Sequence, residues 1–364
     1  MKQKKILIIT PGFLPLLGGM EEQVYTLSRE FISQGVKVDV LTERTEKSFE
    51  KTEVIDGISV TRIEKPNRRS AFFLVSIYRQ IRSFLRINTD YDLIIIRTFT
   101  SYGLCVGLMK LLKIVKISTF ITADTGGEND ELTPIVKSKI RPLYRLLFGK
   151  HDYINSICQL NYEKYLEIGF PKRKLTKIYN GLDCRDYSKS KYPKRVQNFL
   201  FIAQLKKEKG IYETLKAFKV LTGSHSKSKL FVAGDGPEYD KINNWIAENK
   251  LRKNIILLGR VSRDKKKEFF GMGECLVLPS YSEGFGLVYY EAAIYKRAII
   301  ATDVADVKEI FQNQVLYAKK MDASDLHKKM LFAIENLDPS RLNYDEVVDL
   351  VDVKKTTTDL LHLK

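Results

Sequence analysis

The residues with the clearest chemical promise lie in one stretch, PSYSEGFGLVYYE at 279–291. Glu283 sits in a polar, glycine-bearing turn that runs from Ser280 to Gly286, and Glu291 sits in the apolar, helix-forming run behind it. At such a turn the backbone N–H groups of Gly284, Phe285, Gly286 and Leu287 fall at a helix start. There, unpaired donors and the helix dipole favour an anion. A phosphate suits those donors, and sugar hydroxyls suit Glu283 as an acceptor.

Positioning this stretch requires a strand in front and a helix behind. Residues 275–278 (CLVL), closed by Pro279, read as a buried parallel strand, and 287–295 as the helix. The same grammar opens the chain. Residues 5–10 (KILIIT) form a strand, and 11–20 a loop carrying Gly18 and Gly19. Residues 21–34 form an amphipathic helix with Val24, Leu27, Phe31 and Ile32 on one face, and 36–42 form the next strand. That is the start of a doubly wound fold, without the G-x-G-x-x-G of a dinucleotide site.

Further strands are expected at 58–63, 91–97, 115–122, 153–157 and 175–179, with helices around 104–112 and 161–168. Residues 67–88 make a basic amphipathic helix. Phe73, Leu74, Ile77, Ile81, Phe84 and Leu85 share one face, and Arg79, Arg82 and Arg86 share the other. This pattern fits either an interfacial membrane segment or a core-facing helix with a solvated face. A second basic stretch at 137–150, with Arg141 and Arg145, favours the membrane reading.

Residues 183–195 are charged, Pro-bearing and without periodicity, and read as a linker. Behind them the alternation restarts, with strands at 198–203, 229–233, 255–258 and 298–302 and helices between. The expected fold class is therefore α/β, with two Rossmann-like domains facing a central cleft. The expected domains are 1–187 and 188–344, with a last helix at about 345–364 packing back on the first.

The chain has 364 residues and a net charge of +17. That length allows two cores. The charge calls for an anionic membrane face or phosphate-rich substrates, unless lysines serve solubility alone. No nucleic-acid-binding pattern is visible. Cys105, Cys158, Cys184 and Cys275 show no metal-ligand or disulfide spacing, which points to a reducing cytoplasm. No signal peptide or membrane span is read at the start.

Taken in order, the motifs resemble those of the family 4 retaining glycosyltransferases of GT-B fold. Gly18-Gly19-Met20-Glu21 looks like the family's N-terminal glycine loop, and Asn180-Gly181-Leu182-Asp183 like its interdomain motif. Glu208-Lys209-Gly210, Gly234-Asp235-Gly236-Pro237, Gly259-Arg260, and Glu283-Gly284-Phe285-Gly286 with Glu291 follow. The resemblance implies a nucleotide-sugar donor, UDP-sugar favoured, held by the second domain, an acceptor held by the first, and no metal or other cofactor. It implies Lys209 on the donor diphosphate, Glu291 on the ribose, Glu283 on the transferred sugar, and Arg260–Val261 edging the base. Gly18 and Gly19 would serve the same phosphates.

Three positions depart from the pattern. Gln204 stands where an arginine is expected, Ala123 where a histidine is expected, with Asp124 or Thr125 as substitutes, and Ala305-Asp306 where two glycines are expected. The implied activity is hexosyl transfer to a glycan or lipid-linked acceptor in bacterial cell-surface synthesis, on the inner membrane face. The alternative is a non-catalytic GT-B protein that binds a glycan or a partner transferase. A glycosidase reading of the paired carboxylates fits poorly, because Glu291 lies within a helix and the loops are of phosphate type.

Overall fold

The computed structural model describes residues 3–16, 18–65, 72–124 and 130–363. The chain divides into two compact units, Met1–Asp183 with Asp352–Lys364, and Cys184–Val351.

The first unit is built on an eight-stranded sheet. Its order is Thr52–Ile55, Ile58–Glu64, Lys37–Arg44, Lys5–Ile9, Leu93–Arg97, Ser118–Thr122, Tyr153–Asn155, Leu175–Thr176. The central strands read as unbroken apolar runs because helices cover both faces. Alternate side chains then divide between two cores. Leu7, Ile9, Ile94 and Ile96 face helices Phe73–Ile87, Ser101–Leu111 and Arg141–Phe148, while Ile6, Ile8 and Ile95 face helix Gly19–Ser33.

One strand, Thr52–Ile55, is antiparallel and was not expected. Asp56 (φ 49°) and Gly57 (φ 85°) form the two-residue turn in front of Ile58–Glu64. Positive φ at both positions is what a twisted hairpin needs, and Asp-Gly supplies it. The expected strand at 175–179 shortens to Leu175–Thr176 because the Asn155 side chain takes over the pairing. Asn155 Oδ1 accepts from Ile178 N, and Asn155 Nδ2 donates to Ile178 O, both at 2.8 Å.

The basic amphipathic segment is helical over Phe73–Ile87, and residues 66–71 lie outside the described residues. Only Ile77 and Ile81 are fully buried. Phe73, Phe84 and Leu85 pack at the margin of the core, while Leu74 is largely exposed. The helix packs mainly on Ser101–Leu111, so the buried stripe is narrower than the apolar face the sequence suggested. Among the described residues, no helix is long and apolar enough to cross a membrane.

The second unit holds a six-stranded parallel sheet, ordered Ile255–Gly259, Leu230–Ala233, Phe199–Ile202, Cys275–Leu278, Ala298–Thr302, Leu316–Ala318. The last strand was not expected, and helices Val307–Phe311 and Ala323–Glu335 flank it.

The C-terminal segment differs from the single helix expected at about 345–364. Helix Asp345–Leu350 belongs to the second unit, anchored by buried Tyr344 against Phe311 at a ring distance of 6.1 Å. The chain then turns extended at Asp352, whose side chain caps Lys354 N at 2.9 Å. Val353 N donates to Leu182 O at 2.9 Å, and helix Val353–Leu361 lies on helix Gly19–Ser33, burying Val353 and Leu360. The return to the first unit is therefore shorter than expected and begins at Asp352.

Candidate active site

In the second unit, strands Phe199–Ile202 and Cys275–Leu278 pair only at Cys275↔Phe199 and Leu276↔Leu200. Beyond those residues the two strands part, and the sheet order reverses between them. An open α/β sheet binds its ligands in the crevice at such a switch point, past the carboxyl ends of the strands. The loops leaving these two strands carry Lys209 and Glu283.

Lys209 Nζ lies 2.7 Å from Glu283 Oε1, and Ser280 Oγ donates to the same oxygen at 2.7 Å. Both charged side chains keep some exposure, 27% for Lys209 and 10% for Glu283. Thr302 Oγ1 donates to Ser280 O, tying the loop to the neighbouring strand. Gly286, left-handed at φ 72°, is the N-cap of helix Leu287–Ile294. The first N–H groups of that helix have no partner within the helix itself. Behind it, Tyr289 is fully buried and donates to Leu278 O at 2.8 Å, while Phe285 stacks on Tyr290 at 4.5 Å.

Close backbone approach between loops accounts for several glycines. A Cβ on Gly210 (φ 72°) would fall 2.3 Å from Pro279 O, and one on Gly234 (φ 140°) would fall 1.9 Å from Ala203 O. Glycine is the residue that permits both the dihedral and the contact. Gly210 thus holds the Lys209 loop against the Glu283 loop. Gly234 holds the 234–238 loop against the end of strand Phe199–Ile202. Gln204 is exposed on the loop that leaves strand Phe199–Ile202.

Glu291, one face of the helix further on, is paired with Lys266 at 2.6 Å. Lys266 opens the short helix Lys266–Gly271 behind strand Ile255–Gly259. Arg260 and Val261 follow that same strand, with Arg260 exposed. Lys209–Glu283 and Lys266–Glu291 are thus lysine–glutamate pairs on loops and helices of the second unit. Sequence reasoning found both glutamates and Lys209, and missed Ser280 and Lys266. Ser280 lay inside the stretch already singled out. Lys266 is one of three consecutive lysines, Lys265–Lys267, and nothing in the string distinguishes it.

In the first unit, Gly18 is the extended N-cap of helix Gly19–Ser33. A Cβ on Gly18 or Gly12 would fall 2.4 Å from a carboxylate oxygen of Glu21. Glu21 therefore folds back over the helix start, and a phosphate approaching Gly18 and Gly19 has to displace it. Asp124, at the end of strand Ser118–Thr122, has its carboxylate oxygens buried and is ion-paired with Arg97 from the neighbouring strand. Burial pushes the Asp124 carboxyl above the usual range, against the pull of Arg97. Glu131 links the same two strand ends, accepting from Phe99 N at 2.7 Å and Asp124 N at 2.8 Å. Its carboxyl is pushed up to about 8, chiefly by burial and then by the Asp124 charge. The sequence reading missed Arg97 and Glu131. Thr125 lies outside the described residues.

Arg79, Arg82 and Arg86 are exposed on helix Phe73–Ile87, and Arg141 and Arg145 on helix Arg141–Phe148. Exposed Phe72, Leu74 and Val75 accompany the first helix, and exposed Ile140, Leu143 and Leu146 the second.

Two family models match consecutive parts of the chain. Glycosyltransferase Family 4 matches residues 17–186, and Glycosyl transferases group 1 matches 186–346. The chain belongs to the family 4 glycosyltransferases of GT-B fold and is a glycosyltransferase. Among curated relatives it is 24% identical to the phosphatidylinositol N-acetylglucosaminyltransferase GPI3 subunit of Saccharomyces cerevisiae, over 98% of this chain and 82% of that one. It is 29% identical to an uncharacterized glycosyltransferase of Methanocaldococcus jannaschii, over 89% and 87%. Among solved structures, Anabaena HepE in complex with UDP and glucose has the same fold, at a TM-score of 0.73 and 15% identity, over 99% and 98%.

Proposed function

We propose that this glycosyltransferase is a retaining, metal-independent enzyme that moves a hexosyl group from a nucleotide-diphosphate sugar, with a UDP-sugar favoured. The acceptor is a glycan or lipid-linked glycan in bacterial cell-surface synthesis, reached from the inner face of the membrane. The observation that carries the reading is the Lys209–Glu283–Ser280 cluster at the switch point of the second sheet.

In this reading Lys209 leaves Glu283 and neutralises the diphosphate, where charge builds as the leaving group departs. The helix-start N–H groups of Gly284–Leu287 add donors there without carrying a mobile charge. Glu283, once released, accepts from hydroxyls of the transferred sugar, and Glu291 accepts from the ribose. Arg260 and Val261 edge the base, with Gln204 and Gly234 on the adjoining loops. The displacement is front-face, with the incoming hydroxyl and the leaving phosphate on one side of the sugar. Glu283 is assigned no nucleophilic role.

The first unit takes the acceptor, with Asp124 assigned there and Gly18 and Gly19 assigned to the donor phosphates. Its exposed arginines and apolar residues dock on anionic lipid. The relative named for phosphatidylinositol supports a lipid-linked acceptor, and the HepE complex supports UDP.

The test is thermal-shift binding without metal against UDP- and GDP-sugars, free UDP and free GDP. A stabilising ligand whose effect disappears in Lys209→Ala and in Glu291→Ala supports the donor site and identifies the base. Folded protein that responds to no nucleotide overturns the reading in favour of a non-catalytic partner subunit.

A further inference from the structure

A groove in the first unit is lined by residues that the donor site does not use. It has a volume of about 500 Å³ and runs between helix Arg141–Phe148 and the turn that ends helix Gln159–Ile168. Its walls include apolar Pro142, Leu146, Phe170 and Pro171, and its charged members are Arg145 and Lys150. Among the described residues, no acidic side chain lines it.

Both helices end at this groove, so their terminal carbonyls favour cations nearby. Lys174 already answers that demand, donating to Gly149 O at 2.8 Å and His151 O at 2.7 Å. Burial lowers the Lys174 pKa; the Asp152 charge opposes that shift, and Lys110, Arg173 and Lys150 add to it. Arg145 and Lys150 form no ion pair among the described residues. The Arg145 guanidinium lies across Gly169, where an added Cβ would fall 3.2 Å from Nε. The absent side chain at Gly169 leaves that planar group flat against the backbone at the edge of the groove. A forked guanidinium beside an ammonium, over apolar walls, is complementary to a phosphate monoester, which offers several unsubstituted oxygens and close to two charges.

We infer that this groove binds the phosphate monoester headgroup of an anionic lipid. Exposed Ile140, Leu143 and Leu146 on the same helix supply apolar contact beside it. The lipid source rests on the membrane-docking reading above; the phosphate site does not.

Two probes separate these claims on the full chain. In flotation with phosphatidylcholine vesicles, phosphatidic acid should bind the protein about tenfold more tightly than phosphatidylserine at matched surface charge. Arg145→Gln/Lys150→Gln should abolish that preference, so that phosphatidic acid and phosphatidylserine vesicles bind the variant equally. Lys150→Gln alone, which leaves the packing of Arg145 on Gly169 untouched, should reduce it. Soluble glycerol 3-phosphate, followed by calorimetry, should bind the native chain and not the double variant. Saturable glycerol 3-phosphate binding, lost in the double variant, with no binding to any vesicle would support the phosphate site and overturn its lipid source. Equal binding to both lipids, a preference that survives in the double variant, or silence from both probes overturns the site.

Discussion

Lys209 Nζ and Glu283 Oε1 stand 2.7 Å apart and join the loops that leave the two strands flanking the switch point of the second sheet. The lysine assigned to the diphosphate and the glutamate assigned to the sugar thus neutralise each other in the unliganded chain. The donor has to separate them, and the two substitutions should then act in different directions. Glu283→Gln frees the ammonium, so free nucleoside diphosphate should bind at least as tightly as to the native chain, while kcat falls by about 100-fold. Lys209→Met should weaken nucleoside diphosphate binding by about tenfold or more. Calorimetry with UDP and GDP, beside a transfer assay, checks both. Weaker nucleotide binding in Glu283→Gln would contradict the exchange of partners.

Gly234 should tolerate no side chain. Its φ of 140° and the 1.9 Å approach of an added Cβ to Ala203 O leave the loop no unstrained option. Gly234→Ala should cost about 3 kcal/mol, combining backbone strain with a forced loop shift. Urea unfolding measures it. A loss below ~0.5 kcal/mol would mean that the loop relaxes freely.

Helix Val353–Leu361 should stabilise the unit to which the chain returns. Leu360 is buried against the core that includes Phe31 and Leu27. Leu360→Ala should destabilise by about 2–4 kcal/mol through lost burial and the cavity left behind. Hydrogen exchange should show the loss in helix Gly19–Ser33, and unchanged protection there would place the helix outside that core.

Glu131 gives stability a pH dependence of known sign. Its folded pKa of about 8 lies above the ordinary glutamate value of 4.5, so the folded chain holds a proton that the unfolded chain has released between these two. The contribution is fully present below about pH 4.5 and is lost as pH rises through about 8, at up to ~1.4 kcal/mol per pH unit. Unfolding free energy measured from pH 5 to 8.5 should fall less steeply in Glu131→Gln than in the native chain. Identical slopes would show that Glu131 is already ionised at pH 5.

Exposed Arg79, Arg82 and Arg86 should govern attachment to anionic vesicles. Reversing all three to glutamate should abolish flotation with acidic liposomes, since each basic residue near the surface is worth about 1 kcal/mol. Flotation that persists would locate membrane contact elsewhere or nowhere on this helix.

The sequence by itself determined the parallel α/β architecture, because only strands covered on both faces show unbroken runs such as KILII and CLVL. It also determined Glu283, Glu291 and Lys209 as the residues to examine, through motif order and the glycine-bearing loop before a helix. The Asp56-Gly57 hairpin has a local signal too, since that pair between β-forming runs favours a tight turn. Only the tertiary structure decided the partners. Ser280 reaches Glu283 because their loop curls back, and Lys266 reaches Glu291 across a strand connection that no spacing encodes. It also decided that the C-terminal segment divides at Asp352 and that Asp124 pairs with Arg97. Local propensity acts over a few residues. Ion pairs, burial and the close approach of one loop to another depend on groups brought together from distant parts of the chain.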